Sequence, residues 1–189
     1  MSAADRLPLP AEADLTPEQR AAAKRLAAGP RGGIFGPFVP LLRSPELMTR
    51  LQLVGEYLRF DSVLDDDLVE LVILAVARHW DQDFEYGFHH PLALQAGLPA
   101  EVVDAVSRGV RPVGGRAAVG VVWDLLDELH TNRKVSEATY IKAVREIGET
   151  KVVEVVGTAG YYTTLAMTMN VAQTPPPHGA PRLPVRESA

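Results

Sequence analysis

Apolar positions recur at helical spacing along most of this chain, and no stretch alternates convincingly enough to predict a strand. Leu47, Leu51, Val54 and Leu58 share one helical face, as do Val119, Val122, Trp123, Leu126 and Leu129. Leu68 to Ala77 is apolar almost all round, Glu70 excepted, which predicts a helix buried on most sides. Start signals agree with these patterns. Thr16-Pro17-Glu18-Gln19 predicts an N-cap, a first-position proline and a capping-box partner for a helix ending near Ala28. Ser44-Pro45 repeats the device, and Asp65 to Asp67 put negative charge where the next helix dipole favours it. Further helices are predicted from Phe84 to Ala96 with Gly97 as C-cap, over Pro99–Arg108 and Arg116–Leu129, from Ser136 to Ile147, and from Thr150 to about Ala172. The chain therefore reads as all-α, a bundle of about seven or eight helices.

The breaks between these patterns are equally informative. Arg31 to Pro40 mixes glycines and prolines with Ile34, Phe35 and Phe38, so it is irregular yet wants burial: a loop packed on the core, or a lid over a pocket. Phe60 to Leu64 reads as a turn, and His79 to Asp83 as a polar break. Pro91 predicts a kink beside His89 and His90, with a fresh helix start at Pro91 as the alternative. Residues 1–14 are expected to be a flexible arm, 15–173 a single helical domain, and 174–189 a Pro-rich tail, mobile or clasping. A weak echo between Leu53–Val63 and Leu125–Val135, each followed by an acid-started helix, suggests a doubled helix–turn–helix unit.

Composition narrows the function. A chain of 189 residues suffices for one well-cored domain. The net charge of −5 and the lack of a basic stripe argue against a nucleic-acid partner, so an anionic substrate would need a locally basic site. Without cysteine there is no disulfide, thiolate metal site or thiol redox chemistry. No apolar run resembles a signal peptide or a membrane span, so a cytoplasmic protein with no membrane partner is expected.

Groups able to move protons at neutral pH crowd into one stretch: Glu70, then His79, Glu85, His89 and His90. On a helix Glu85 and His89 are one turn apart, so the carboxylate can hold one imidazole nitrogen and raise the His89 pKa. The plainer reading of such a pair is a surface contact. Glu70, alone among apolar neighbours, is expected to be paired or to have a raised pKa, with Arg78 as one structural partner. A metal site is disfavoured, because H-E-x-x-H is absent and adjacent histidines diverge on a helix.

The run Glu70, eleven residues, Gln82-Asp83-Phe84-Glu85, three residues, His89, then Ala93 and Gly97-Leu98 resembles the signature of the carboxymuconolactone decarboxylase and alkylhydroperoxidase D-like superfamily. In its peroxidase branch two cysteines stand where this chain has Gln82 and Glu85. The cysteine-less decarboxylase-like branch reads Glu-Trp-x-x-His, against Glu85-Tyr86-Gly87-Phe88-His89 here. Ser44-Pro45-Glu46-Leu47, Val72-Ile73-Leu74 and Gly160-Tyr161-Tyr162 add to the likeness, which spans roughly Ile34 to Gln173. The resemblance implies an alkylhydroperoxidase D-like all-α fold with a doubled unit, and trimers or hexamers with the site near a subunit interface. It also implies a cofactor-independent lyase that decarboxylates a small carboxylated lactone. On that reading His89 is the proton donor, Glu85 its orienting carboxylate and Glu70 a second acid; Arg78, His90, Tyr86 and Gln82 are the substrate-binding candidates. A non-catalytic helical binding or assembly protein is the alternative, and the absence of cysteine weighs against a thiol peroxidase.

Overall fold

The computed structural model describes residues 5–186, so the first four residues of the arm and the last three of the tail lie outside it. Its helices are α1 (Pro17–Ala28), α2 (Phe38–Leu41), α3 (Pro45–Glu56), α4 (Asp66–His79), α5 (Asp83–Gln95), α6 (Ala100–Ser107), α7 (Ala117–Asn132) and α8 (Glu137–Ala172). Among the described residues there is no strand, and no helix is long and apolar enough to cross a membrane.

The apolar pattern of α4 decides the architecture. Every residue from Leu68 to Arg78 is buried, and the helix is wrapped by α5, α6, α7 and α8. Most of that burial is aliphatic, at about 1.5–3 kcal/mol for each large side chain withdrawn from water. α7 packs along α8, while α1 lies against α3 on the flank. The acidic start of α4 is tied down from outside: Arg116, at the head of α7, spans Asp65 and Asp67 at 2.7 and 2.6 Å, and Lys151 of α8 reaches Asp65 at 2.7 Å.

The predicted caps are uneven. Thr16 forms the full capping box with Gln19, and Ser136 accepts from the Thr139 amide at 3.3 Å. Ser44 precedes α3 but caps nothing with its side chain, its backbone lying at φ −126°, ψ 77°. α8 joins the two helices predicted over 136–172; Gly148, at φ 81°, ψ 158°, breaks it where they were expected to part. α5 runs as one helix through the exposed Pro91, so there is no fresh start there. The turn expected at Phe60–Leu64 is a π-helical turn over Tyr57–Asp61, held by Tyr57 and Ser62 hydroxyls that both donate to the buried Glu154.

Both ends of the described chain lie on the body. Arg6 donates its backbone N–H to the Ala172 carbonyl at 2.7 Å. The tail crosses the α4–α5 turn, where Arg182 pairs with Asp83 at 2.7 Å and Arg186 with Asp81 at 2.9 Å. It passes so close to Gly87 that a Cβ there would meet Ala180 and Pro181 at 2.9 Å.

Candidate active site

α4 delivers Glu70, and α5 delivers Glu85 and His89; all three are buried. His89 Nδ1 lies 2.8 Å from Glu70 Oε2, a full hydrogen bond, and His89 Nε2 lies 3.7 Å from Glu85 Oε1. Glu70, not Glu85, is therefore the carboxylate that orients the ring, which corrects the expectation drawn from the one-turn spacing. In the tautomer whose Nδ1–H donates to Glu70, Nε2 is left as an acceptor facing Glu85.

The electrostatics also reverse the expectation. Burial pulls the His89 imidazolium below its ordinary range; the Glu70 charge and hydrogen bond oppose this without overcoming it. Burial pushes Glu85 from 4.5 up to about 8, with the Glu70 charge adding and the Arg59 and Arg31 charges opposing. At neutral pH Glu85 is thus mainly a neutral carboxylic acid beside a neutral imidazole. That is the arrangement of a proton donor with an acceptor ready to receive or pass on the proton.

The surrounding pocket is aromatic and narrow. Phe35 and Pro37 cover it from the segment between α1 and α2 and Phe38 from the start of α2, Phe84 and Phe88 line it from α5, and Tyr162 and Leu165 from α8. The Phe35 and Phe88 rings stack at 5.4 Å, and Tyr162 meets His89 edge-on at 5.4 Å. The covering segment is both alternatives at once, packed on the core and lying over the pocket. Gly36, at φ +54°, permits its approach: a Cβ there would sit 2.4 Å from the Phe84 ring. The remaining cavity, about 20 Å³, has room for about one water. Arg31 and Arg59 reach into it over aromatic faces, with Arg31 5.0 Å from the Phe38 centroid and Arg59 5.5 Å from that of Phe88. Neither guanidinium is ion-paired among the described residues.

The other substrate-binding candidates are not brought here. Arg78, at the far end of α4, donates to the Pro184 carbonyl of the tail at 2.8 Å and lines a separate cavity of about 160 Å³ with His79 and His130. Those two imidazoles stack at 4.2 Å, and burial pushes His130 down to about 4. Gln82 serves as the N-cap of α5, accepting from the Phe84 amide at 2.7 Å while donating to Asn170 at 2.7 Å. Tyr86 is buried beside Ser107, and His90 packs edge-on against it at 5.5 Å. The cations that line the pocket, Arg31 and Arg59, were missed as site residues. Their signals were an arginine opening a glycine-rich aromatic loop and an arginine inside an irregular helical turn, a feature that gathers at functional sites. Among the described residues no group of three or more metal-ligating side chains is arranged to hold a metal ion.

Residues 45–128, which include Glu70, Glu85 and His89, match the carboxymuconolactone decarboxylase family. The likeness to that family covers less than half of the chain. The chain's fold is similar to the crystal structure of an alkylhydroperoxidase AhpD core, an uncharacterized peroxidase-related protein from Ralstonia eutropha JMP134. The TM-score is 0.74 over 92% of each chain, at 15% identity. No curated protein matches the chain. In the signature that the sequence resembles, Glu70 and His89 are the flanking acid and histidine, and the pair they make is the shortest polar contact in the buried cluster.

Proposed function

We propose that this protein is a cofactor-independent lyase that decarboxylates a small carboxylated lactone and protonates the resulting carbon. The observation that supports it best is Glu85: a buried acid that keeps its proton to about pH 8, beside an imidazole locked by Glu70. The scissile carbon–carbon bond breaks as CO2 leaves. Its electron pair flows through the conjugated double bond to the lactone carbonyl oxygen, giving an enolate. Glu85 then delivers its proton to carbon, directly or through His89 Nε2, and the electron pair returns from oxygen. A carboxylate desolvated in this aromatic pocket loses CO2 more readily than one in water. The substrate itself carries the electron sink, and the side chains described supply the proton and the charge.

A peroxidase reading, suggested by the name of the similar structure, lacks its nucleophile, because the chain has no cysteine and carries a carboxyl group at Glu85 instead of a thiolate. We also propose a homo-oligomer. Leu53, Val54, Tyr57, Phe60 and Val63 are exposed on α3 and the turn after it, and Val153 and Val156 on α8; a single copy leaves these apolar side chains in water. The deciding experiment for function is CO2 release from 4-carboxymuconolactone by the wild type and by Glu85→Gln and His89→Asn. Turnover lost in both variants, with folding intact, supports the proposal; no turnover of any lactone acid by the wild type overturns it.

A further inference from the structure

Buried polar side-chain atoms normally have partners, and exceptions that gather in one place call for a ligand. Most of the exceptions among the described residues lie in or next to this pocket: Arg31 Nε and Nη2 and Glu85 Oε2 on residues that line it, and Tyr161 Oη beside Arg31 at Gly55. Glu85 is accounted for as the proton donor. Arg31 and Tyr161 are not. An arginine has only donors, so what it lacks is an acceptor, and no carboxylate of the described chain supplies one.

The two groups converge. Both press on the backbone of α3 at Gly55, where a Cβ would lie 2.1 Å from Tyr161 Oη and 2.7 Å from Arg31 Nη2. Only glycine leaves space for both there. Burial pushes the Tyr161 phenol up to about 12, so it remains a hydroxyl donor at neutral pH. Arg31 lines the same cavity as Glu85 and His89, and its guanidinium carbon sits over the Phe38 ring at 5.0 Å from the centroid. Three N–H or O–H donor atoms, two of them on the cationic guanidinium, are therefore fixed in a water-poor site with nothing to receive them.

We propose that Arg31 and Tyr161 form an oxyanion receptor, which takes the anionic oxygen of a small, flat, conjugated acid. This rests on the lyase reading for its role in turnover. There, charge moves from the departing carboxylate to the lactone carbonyl oxygen, and donors aimed at that oxygen bind the transition state more tightly than the substrate. Arg31 also belongs to the segment whose Phe35, Pro37 and Phe38 close the pocket. The cavity of about 20 Å³ cannot hold a five-membered ring, so the segment moves aside for entry and Arg31 returns with it onto the bound anion.

The test uses binding as well as turnover. Furan-2-carboxylate and its neutral counterpart furan-2-carboxamide are titrated into the full chain and into Arg31→Met, Arg31→Lys and Tyr161→Phe, each checked by circular dichroism. The wild type should prefer the carboxylate. Arg31→Met should lose about tenfold or more for the carboxylate, the worth of one charge-assisted hydrogen bond, and nothing for the carboxamide. Arg31→Lys should recover part of the loss, and Tyr161→Phe should show a smaller one. Equal binding of carboxylate and carboxamide by the wild type overturns the receptor. So does carboxylate affinity in both Arg31→Met and Tyr161→Phe within about twofold of the wild type. Arg31-dependent binding in a protein that turns over no lactone acid would leave the receptor standing and remove the lyase reading; full turnover in Arg31→Met would do the reverse.

Discussion

Replacing Glu85 with Gln should make the protein inactive and, above neutral pH, more stable. Glu85 holds a proton in the folded chain up to about pH 8, whereas its ordinary value is 4.5. Between these values the folded chain binds a proton that the unfolded chain has released, so stability is fully present below 4.5 and is lost as pH rises towards 8. His89 works in the opposite sense. Its folded pKa lies below the ordinary 6.5, so the unfolded chain binds the extra proton there, and stability from this group rises with pH until about 6.5. From 6.5 to 8 Glu85 is left as the group of the pair that still titrates, and one proton of linkage is worth roughly 1 kcal/mol per pH unit. The wild type should lose on the order of 2 kcal/mol over that interval through Glu85. Gln has nearly the shape of the protonated acid and cannot ionise, so the variant should be spared that loss.

The measurement is urea unfolding followed by circular dichroism at pH 6.5 and pH 8, at one protein concentration because association would shift both midpoints. The two proteins should be close in stability at the lower pH and separate at the higher, with Glu85→Gln ahead. Parallel behaviour across the interval would mean that Glu85 ionises near its ordinary value, and the proton donor of the proposed reaction would be gone. Rate should respond in the same window: the alkaline limb of the wild-type profile should fall near pH 8, where Glu85 gives up its proton.

Other expectations follow from the same geometry. His89→Asn should cost about 10² to 10⁴ in turnover; because His89 and Glu85 act as a unit, the double variant with Glu85→Gln should be about as slow as the worse single one, and multiplying losses would argue for independent roles. Hydroperoxide should not be consumed above background with any dithiol donor, an assay that needs only the purified protein. Light scattering at micromolar concentration should give a particle larger than the 20.5 kDa chain, and Val54→Asp, on the exposed face of α3, should shrink it; a wild-type monomer would refute the association. Leu71→Ala, at a fully buried position in the wrapped helix, should cost about 2–5 kcal/mol in the same urea assay.

What the sequence made legible was local. The capping box at Thr16, the all-round apolar pattern of α4, and the acid and histidine one turn apart on α5 each depend on neighbours within a few residues, and each led to the right element. Glu70 was conspicuous for the same reason, a lone carboxylate in an apolar helix. The partner of each nitrogen was not legible. It depends on how α4 and α5 lie against each other, and that packing brings Glu70 to Nδ1 while leaving Glu85 at 3.7 Å. Candidates picked for nearness along the chain went astray by simple helix geometry. Arg78 is eight residues from Glu70, about 12 Å along the axis. His90 and Tyr86 each point about 100° away from their neighbours His89 and Glu85. Arg31 and Arg59 come from irregular segments that no periodicity describes.

The sign of the pKa shifts depended on the same missing information. A glutamate one turn from a histidine raises its pKa when both are wet, because the Coulomb term then dominates. Here both are buried to within a few percent, and desolvation acts on each: it pushes the acid up and the base down until the pair is neutral. A neutral acid beside a neutral base can hand over a proton without first stripping water from an ion. It also leaves a carboxyl group that ionises only at an expense to the fold. Chemistry and instability above neutral pH therefore have one cause, the closure of aromatic side chains over Glu85. A variant that opens that cover, such as Phe35→Ala, should lower the Glu85 pKa, flatten the loss of stability between pH 6.5 and 8, and move the alkaline limb of the rate to lower pH together. If the limb moved while the stability profile did not, the group controlling the rate would be another one.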